Sequence, residues 1–255
     1  MPVPRIISLD LSILTEEARV LFDVLCKSPE LKGLTLMGGT ALALQLGHRV
    51  SLDFDFASFN GCIPSHDIND FISRLKTDGL SVHEITDPQK ESQFRINTGE
   101  SLRDRVRDYV INDIKVTFFS HGRNKLQQEF YSRVEVVKAE GMSFNIMGLE
   151  GLKASKILIL ADRVQSRDLY DLMTLMKNCG FALKEAMSVI KDIGHLDDPE
   201  HYRAVMTGGI PVDQNDTGLS PVDVDFSLVK IYEYFESQFE IDDIKKATDT
   251  FLCKD

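Results

Sequence analysis

The stretch Met37-Gly38-Gly39-Thr40-Ala41-Leu42-Ala43-Leu44-Gln45-Leu46-Gly47-His48-Arg49-Val50-Ser51-Leu52-Asp53-Phe54-Asp55-Phe56 decides how this chain is read. Leu34 to Met37 form a short apolar strand, Gly38-Gly39 break it, and Ala41 to Leu46 continue in good helix formers as far as Gly47, a helix-ending residue. Leu52, Phe54 and Phe56 then alternate with Asp53 and Asp55, which is the period of a strand buried on one face. Residues two apart on a strand point the same way with Cα atoms about 6.6 Å apart, so both carboxylates can reach one Mg²⁺ or a bridging pair. A strand anchored by aromatic residues holds the acids rigidly. Phosphoryl-type chemistry needs that, because it is mostly positioning and charge neutralisation.

The residues around the acid pair fit the same chemistry. Gly38 and Gly39 leave room for a phosphate to approach the backbone, and Thr40 can donate from the first turn of a helix whose N-terminus favours anions. Alternation puts Arg49 and Ser51 on the Asp side of the strand, where Arg49 can meet a phosphate or hold an acid in place. A plainer reading stands beside each of these. The alternating strand fits an exposed face, Gly38-Gly39 a turn, Thr40 a helix N-cap, and Arg49 and Ser51 an ion pair and a turn. The Gly-Gly and Arg-x-Ser ahead of the acids favour the metal reading. His48 reads as a residue closing the helix after Gly47. The chain has no G-x-x-x-x-G-K-[ST] and no G-x-G-x-x-G, so the P-loop and dinucleotide-binding readings lack their defining residues.

Working outward, Thr15 can cap a helix whose Ala18, Leu21, Phe22 and Leu25 fall at helical spacing before Pro29, and Ile68, Phe71, Ile72 and Leu75 mark another from about Asp67 to Lys76. Strands are expected at Ser81 to Ile85, Gln93 to Asn97, Asp108 to Phe119, Arg133 to Val137 and Met142 to Ile146. After Gly148 the pattern turns helical: Leu149 to Val164, Arg167 to Asn178, Leu183 to Ile193 and Ser227 to Thr248. A polar Gly/Pro/Asp stretch runs from Thr207 to Asp225. The expected organisation is an α+β domain over residues 1–148 and a helical domain over residues 149–255.

A length of 255 residues allows one substantial core or two modest ones, and a formal charge of −11 excludes a surface basic all over. Contact with RNA must therefore use a local patch. Arg103, Arg105 and Arg107 alternate with Asp104 and Asp108 and read as a salt-bridged loop. Cys26, Cys62, Cys179 and Cys253 lie far apart with no C-x-x-C, so they read as reduced thiols. Met1 to Asp10 carry no signal-like start, and no apolar run has the length of a membrane span, which together predict a soluble cytoplasmic protein.

A second block lies about a hundred residues beyond the first: Leu152-Lys153-Ala154-Ser155-Lys156-Ile157-Leu158, then Arg163, then Arg167-Asp168-Leu169-Tyr170-Asp171-Leu172. On helical spacing Lys153, Lys156 and Arg163 share a face and can clamp phosphates, and Arg167 can pair with Asp171. The first block resembles the leading motif of the polymerase-β-like nucleotidyltransferase superfamily. More narrowly, both blocks resemble the AbiE-type (AbiEii-like) abortive-infection toxins, the nucleotidyltransferase half of a bacterial toxin–antitoxin pair. The resemblance covers most of residues 34–178.

The resemblance implies a nucleotidyltransferase-fold mixed β-sheet with flanking helices, followed by the helical domain. It implies transfer of a nucleoside monophosphate from an NTP, with Mg²⁺ or Mn²⁺ on Asp53 and Asp55, and Gly38, Gly39, Thr40, Arg49, Ser51 and Lys156 around the nucleotide. Asp171, with Asp168, would organise the site or the attacking group. An RNA acceptor, with the tRNA 3′ end foremost, and a cognate antitoxin are the implied partners. A protein acceptor, or a non-catalytic nucleotide-binding protein, are the alternatives. One departure motivates the last of these. In Ile114-Lys115-Val116-Thr117-Phe118, Thr117 stands where the family carries a third acid. Asp113, read on the same strand, is about 13 Å away along it. Either Asp171 or Asp168 then supplies the acid, or activity is weakened.

Overall fold

The computed structural model describes residues 3–196 and 198–252. One mixed sheet contains β1 (Arg5–Ile6), β2 (Thr35–Met37), β3 (Asp53–Ser58), β4 (Val82–Glu84), β5 (Val106–Ile111), β6 (Ile114–Ser120), β7 (Val136–Lys138) and β8 (Asn145–Met147), in the order β1-β7-β8-β2-β3-β6-β5-β4. β2 runs antiparallel to β3 and parallel to β8, while β3 runs parallel to β6. The helices are α1 (Glu16–Cys26), α2 (Gly38–Leu46), α3 (Ser65–Thr77), α4 (Pro88–Thr98), α5 (Lys125–Arg133), α6 (Leu149–Leu158), α7 (Ser166–Asn178), α8 (Leu183–Ile193), α9 (Pro199–Met206) and α10 (Leu228–Leu252). The fold is α+β, as the sequence predicts.

The chain divides into two compact units, one ending at Leu152 and one starting at Lys153, so the break falls inside α6. All eight strands belong to the first unit. Its core is aromatic on one sheet face. Phe54 and Phe56 of β3 are buried, Phe22 of α1 stacks on Phe54 at 5.8 Å, and Phe118 stacks on Phe56 at 5.7 Å. Phe144 meets Phe56 edge-on at 4.9 Å. Each such ring contributes roughly 2–3 kcal/mol of burial, so this face fixes the register of β3 and turns its acids to the other side. Thr15 caps α1 by accepting from the Ala18 N–H, and α1 and α3 bury the apolar residues that their spacing marks. In the second unit α10 packs on α7, α8 and α9, burying Ile231, Phe235 and Phe239, while the Lys177 ammonium lies 4.7 Å from the Tyr234 ring centre.

Several expected elements differ. Gln93 to Asn97 is helix, not strand: Asp87 accepts from the Gln89 N–H, Pro88 occupies the first turn and Gly99 closes the end, so capping outweighs the alternation of Phe94 and Ile96. Asp108 to Phe119 is a hairpin rather than one strand, because Asn112 and Asp113 take φ of +46° and +66° and make a two-residue turn. Asp113 therefore lies in a turn, off the strand of Thr117. The expected helix Leu149 to Val164 stops at Leu158 and passes through a 3₁₀ turn, Ile159–Ala161. β1, α5 and α9 were not expected. Arg103 and Arg105 do form ion pairs, with Glu84 and Glu100 rather than with the interleaved aspartates. Cys26, Cys62 and Cys179 are free thiols, and Cys253, like Met1, lies outside the described residues. No described helix is long and apolar enough to cross a membrane.

One buried group gives the first unit a pH dependence. His121 packs its ring against Tyr131 with centroids 4.3 Å apart, and its Nε2 has no hydrogen-bond partner among the described residues. Burial lowers its pKa from 6.5 to about 4. A histidine held neutral in the fold but free to protonate when unfolded stabilises the protein fully above about pH 6.5 and loses that contribution as pH falls toward 4. The loss is on the order of 3 kcal/mol. Thermal unfolding between pH 7.5 and 4.5 should therefore show a smaller decline in His121→Phe than in the parent. Identical slopes would count against this assignment.

Candidate active site

The site is built where β2 turns into α2 and β3 returns beside them. Gly38 has φ of +71°, and a Cβ there would come 2.8 Å from Asp55 Oδ2, so this glycine admits the Asp55 carboxylate to the first turn of α2. Gly39 is bare for a parallel reason: a Cβ there would collide with the Arg49 guanidinium. Arg49 is 7% exposed and donates from Nη1 to the Val50 carbonyl at 2.9 Å. The two glycines thus make room for the protein's own charged side chains.

Thr40 stands in the first turn of α2, whose N-cap is Met37, while Ser51 lies off the strand on which alternation placed it. Thr40 Oγ1 donates to the Asp53 carbonyl and shares a 2.5 Å hydrogen bond with Ser51 Oγ, and both residues are buried. These hydroxyls tie the start of α2 to the start of β3. Ser51 is outside the regular strand and pairs with Leu14 in an isolated bridge. Their contribution to the site is positional.

Sheet register then decides what surrounds the acids. Along β3 and β6, Asp53 stands beside Lys115 and Asp55 beside Thr117. Across the hairpin, Thr117 stands opposite Asp108, and Thr117 Oγ1 donates to Asp108 Oδ1 at 2.7 Å. Lys115 Nζ lies 3.6 Å from the same oxygen. Neighbours in register project to the same face, so Asp53, Asp55, Thr117, Lys115 and Asp108 share the face opposite the phenylalanines. Asp108 also walls a cleft of about 460 Å³ under α4, together with Ile85, Thr86, Phe94, Leu102 and Val106. Its position beside the acids was hidden in the sequence by the missed turn at Asn112-Asp113.

Two carboxylates on one strand match the protein's usual share of a Mg²⁺ shell, whose other oxygens come from phosphates and water. Among the described residues no group of three His, Cys, Asp or Glu is gathered to hold an ion without such help. The donors are hard oxygens beside a helix N-terminus, so they fit a cation bound together with a triphosphate.

The second unit carries the other block as an ion cluster. Lys156 Nζ lies 2.7 Å from Asp168 Oδ1 and 2.7 Å from Asp171 Oδ2, and Arg163 Nε lies 2.8 Å from Asp168 Oδ2. The Lys156, Asp168 and Asp171 side chains are 5%, 3% and 0% exposed. Burial works to raise the Asp168 pKa, but the charges and hydrogen bonds of Lys156 and Arg163 outweigh it and hold the carboxyl below its ordinary range. The expected shared face of Lys153, Lys156 and Arg163 is absent. The helix ends before Arg163, and the Lys153 ammonium lies 5.6 Å from the Phe181 ring centre. Asp171 pairs with Lys156 rather than with Arg167.

Comparison with known proteins agrees with this architecture. Two solved structures illustrate it. JHP933 from Helicobacter pylori superposes with a TM-score of 0.50 at 20% identity, covering 94% of this chain and 98% of that one. The nucleotidyltransferase toxin MenT4, Rv2826c, from Mycobacterium tuberculosis H37Rv superposes with a TM-score of 0.51 at 13% identity, covering 86% and 80%. At these identities the likeness shows the fold. The protein aq_aa25 of Aquifex aeolicus (strain VF5) is 28% identical over 156 residues, which are 61% of this chain and 64% of that protein's length. The family model described as "Nucleotidyl transferase AbiEii toxin, Type IV TA system" matches residues 19–206, a span that takes in the Gly38-to-Asp55 block and the Lys156–Asp168–Asp171 cluster, and the chain belongs to that family.

Proposed function

We propose that this protein transfers a nucleoside monophosphate from an NTP to a hydroxyl of RNA, the tRNA 3′ end being the first acceptor to test, as a cytoplasmic toxin restrained by a cognate antitoxin. The observation that carries the reading is the seating of Asp55 against Gly38, which puts a carboxylate at the first turn of a helix and supports its assignment to a metal bound with the triphosphate. In this reading Asp53 and Asp55 hold Mg²⁺ or Mn²⁺, which when bound neutralises phosphate charge and polarises the α-phosphorus. The chain's residues do the positioning. The N-terminal turn of α2 receives phosphate oxygens, Gly38 and Gly39 let Asp55 and Arg49 come close to it, Arg49 adds fixed positive charge, and Thr40 and Ser51 keep α2 and β3 in place. Lys156 is the second unit's phosphate cation in this reading, oriented by Asp168 and Asp171.

Family membership supports the NTP, the toxin role and the antitoxin; the RNA acceptor is the substrate class we assign. Incubation with each α-labelled NTP, Mg²⁺, total RNA and cell lysate should put label on RNA and release pyrophosphate. Label on protein instead would replace the acceptor. No label from any NTP would overturn the transferase reading.

A further inference from the structure

We propose that the acid expected at position 117 has been replaced by a relay, in which the Thr117 hydroxyl receives the acceptor's proton and Asp108, one strand further out, takes the proton that Thr117 gives up. The inference rests on the transferase reading above and concerns its proton path.

Asp55, Thr117 and Asp108 stand in one row across β3, β6 and β5. Adjacent strands lie about 4.8 Å apart, so the Asp108 Cα is roughly 10 Å from that of Asp55. An aspartate at that distance needs an intermediary, and Thr117 is placed to be one. Its hydroxyl already donates to Asp108 Oδ1 at 2.7 Å, which leaves the Oγ1 lone pairs for a donor arriving from the Asp55 side. A threonine hydroxyl is no base alone near neutral pH. Hydrogen-bonded to a carboxylate, it can accept one proton while releasing another. Asp108 also borders the cleft under α4, so there is space beside the pair for the group that carries the hydroxyl.

The step balances. The acceptor oxygen bonds to the α-phosphorus as the bond from that phosphorus to the pyrophosphate oxygen breaks. The acceptor's proton passes to Thr117 Oγ1, and the original Thr117 proton passes to Asp108 Oδ1 and later to water. No oxidant or further reactant is needed. Thr117 is the group that touches the acceptor, and Asp108 is a positioning residue that acts through it. The pair is made from the first unit alone. The Lys156 cluster has both of its carboxylates bound at 2.7 Å to a buried lysine, whereas the half-exposed Lys115 approaches Asp108 only to 3.6 Å.

Single-turnover transfer at saturating Mg-NTP, alongside NTP affinity by calorimetry, tests the relay. Asp108→Asn and Thr117→Val should each slow transfer by about 100-fold or more, as loss of a general base does, with NTP affinity within about twofold of the parent. Thr117→Ser, which restores the hydroxyl, should recover most of the Thr117→Val loss. The double change Thr117→Asp with Asp108→Asn moves the acid inward and should regain at least about tenfold over Asp108→Asn alone. If Asp108→Asn does not fold, Thr117→Val against Thr117→Ser decides the matter. A parent that transfers no label ends both the transferase reading and the relay. A parent that transfers, with Asp108→Asn or Thr117→Val keeping pace or losing NTP affinity in step with rate, overturns the relay alone.

Discussion

Lys156→Ala is expected to lower the unfolding free energy by about 3–5 kcal/mol, the range for removing one partner of a buried ion pair. The cause is the charge left behind: the Asp168 and Asp171 side chains are 3% and 0% exposed, and both lose the ammonium that lies 2.7 Å from each. Arg163 still faces Asp168 at 2.8 Å, and Asp171, whose side chain is the most deeply buried of the three, loses the ammonium beside it. Urea unfolding should show a lower midpoint with little change in slope. Lys156→Met combined with Asp171→Asn should recover a good part of the loss, because the uncompensated carboxylate goes with the lysine. A single-variant loss below about 1 kcal/mol would mean that the cluster behaves like a solvated surface pair. Because the Asp168 pKa is depressed, its contribution is full above its unfolded value of 3.8 and disappears as pH falls through its lower folded value. Nucleotide binding by Lys156→Ala is therefore best measured where the variant is still folded.

Asp53→Asn and Asp55→Asn should each reduce transfer on the order of 10²–10³-fold or more, with small effects on stability. The amide keeps the shape and hydrogen-bonding reach of the side chain but removes the charge that a hard cation requires. Both acids are only partly buried on β3, so their neutral replacements fit the same face without a new desolvation cost. Titration of Mn²⁺ in the presence of NTP should lose most of its heat in both variants. An isotherm unchanged in both would sink the metal assignment even if activity fell.

The fold was legible where local signals and tertiary packing agreed. Thr15 ahead of Ala18, Leu21, Phe22 and Leu25 marks α1, and the Phe54 and Phe56 alternation marks β3, because those residues face one aromatic core. Legibility failed where two local signals competed. Gln93 to Asn97 alternates like a strand, yet Asp87, Pro88 and Gly99 cap a helix that leaves Ile96 83% exposed. Asn112-Asp113 is a hairpin signal inside a run of strand formers, and reading through it put Asp113 on a strand and concealed the register of Asp108 with Thr117. In the candidate site, Asp53 and Asp55 could be paired from spacing alone. The mutual hydrogen bond of Thr40 and Ser51, and the binding of Lys156 by two acids from another helix, depend on how separate segments meet, which no short-range pattern contains.

The strand order also sets a timetable for synthesis. β2 meets β3 soon after leaving the ribosome, but Thr35 and Leu36 find their other neighbours only at Asn145 and Ile146. At ordinary elongation rates the intervening chain takes roughly 5–20 s to appear, and throughout that interval one side of β2 has no strand to pair with. Thr35 and Leu36 are fully buried in the finished protein, so a fragment that stops short of β8 displays a raw apolar edge of the kind that templates association. Truncated chains should therefore collect as aggregates or chaperone clients, and release from the ribosome as a closed sheet waits for Met147.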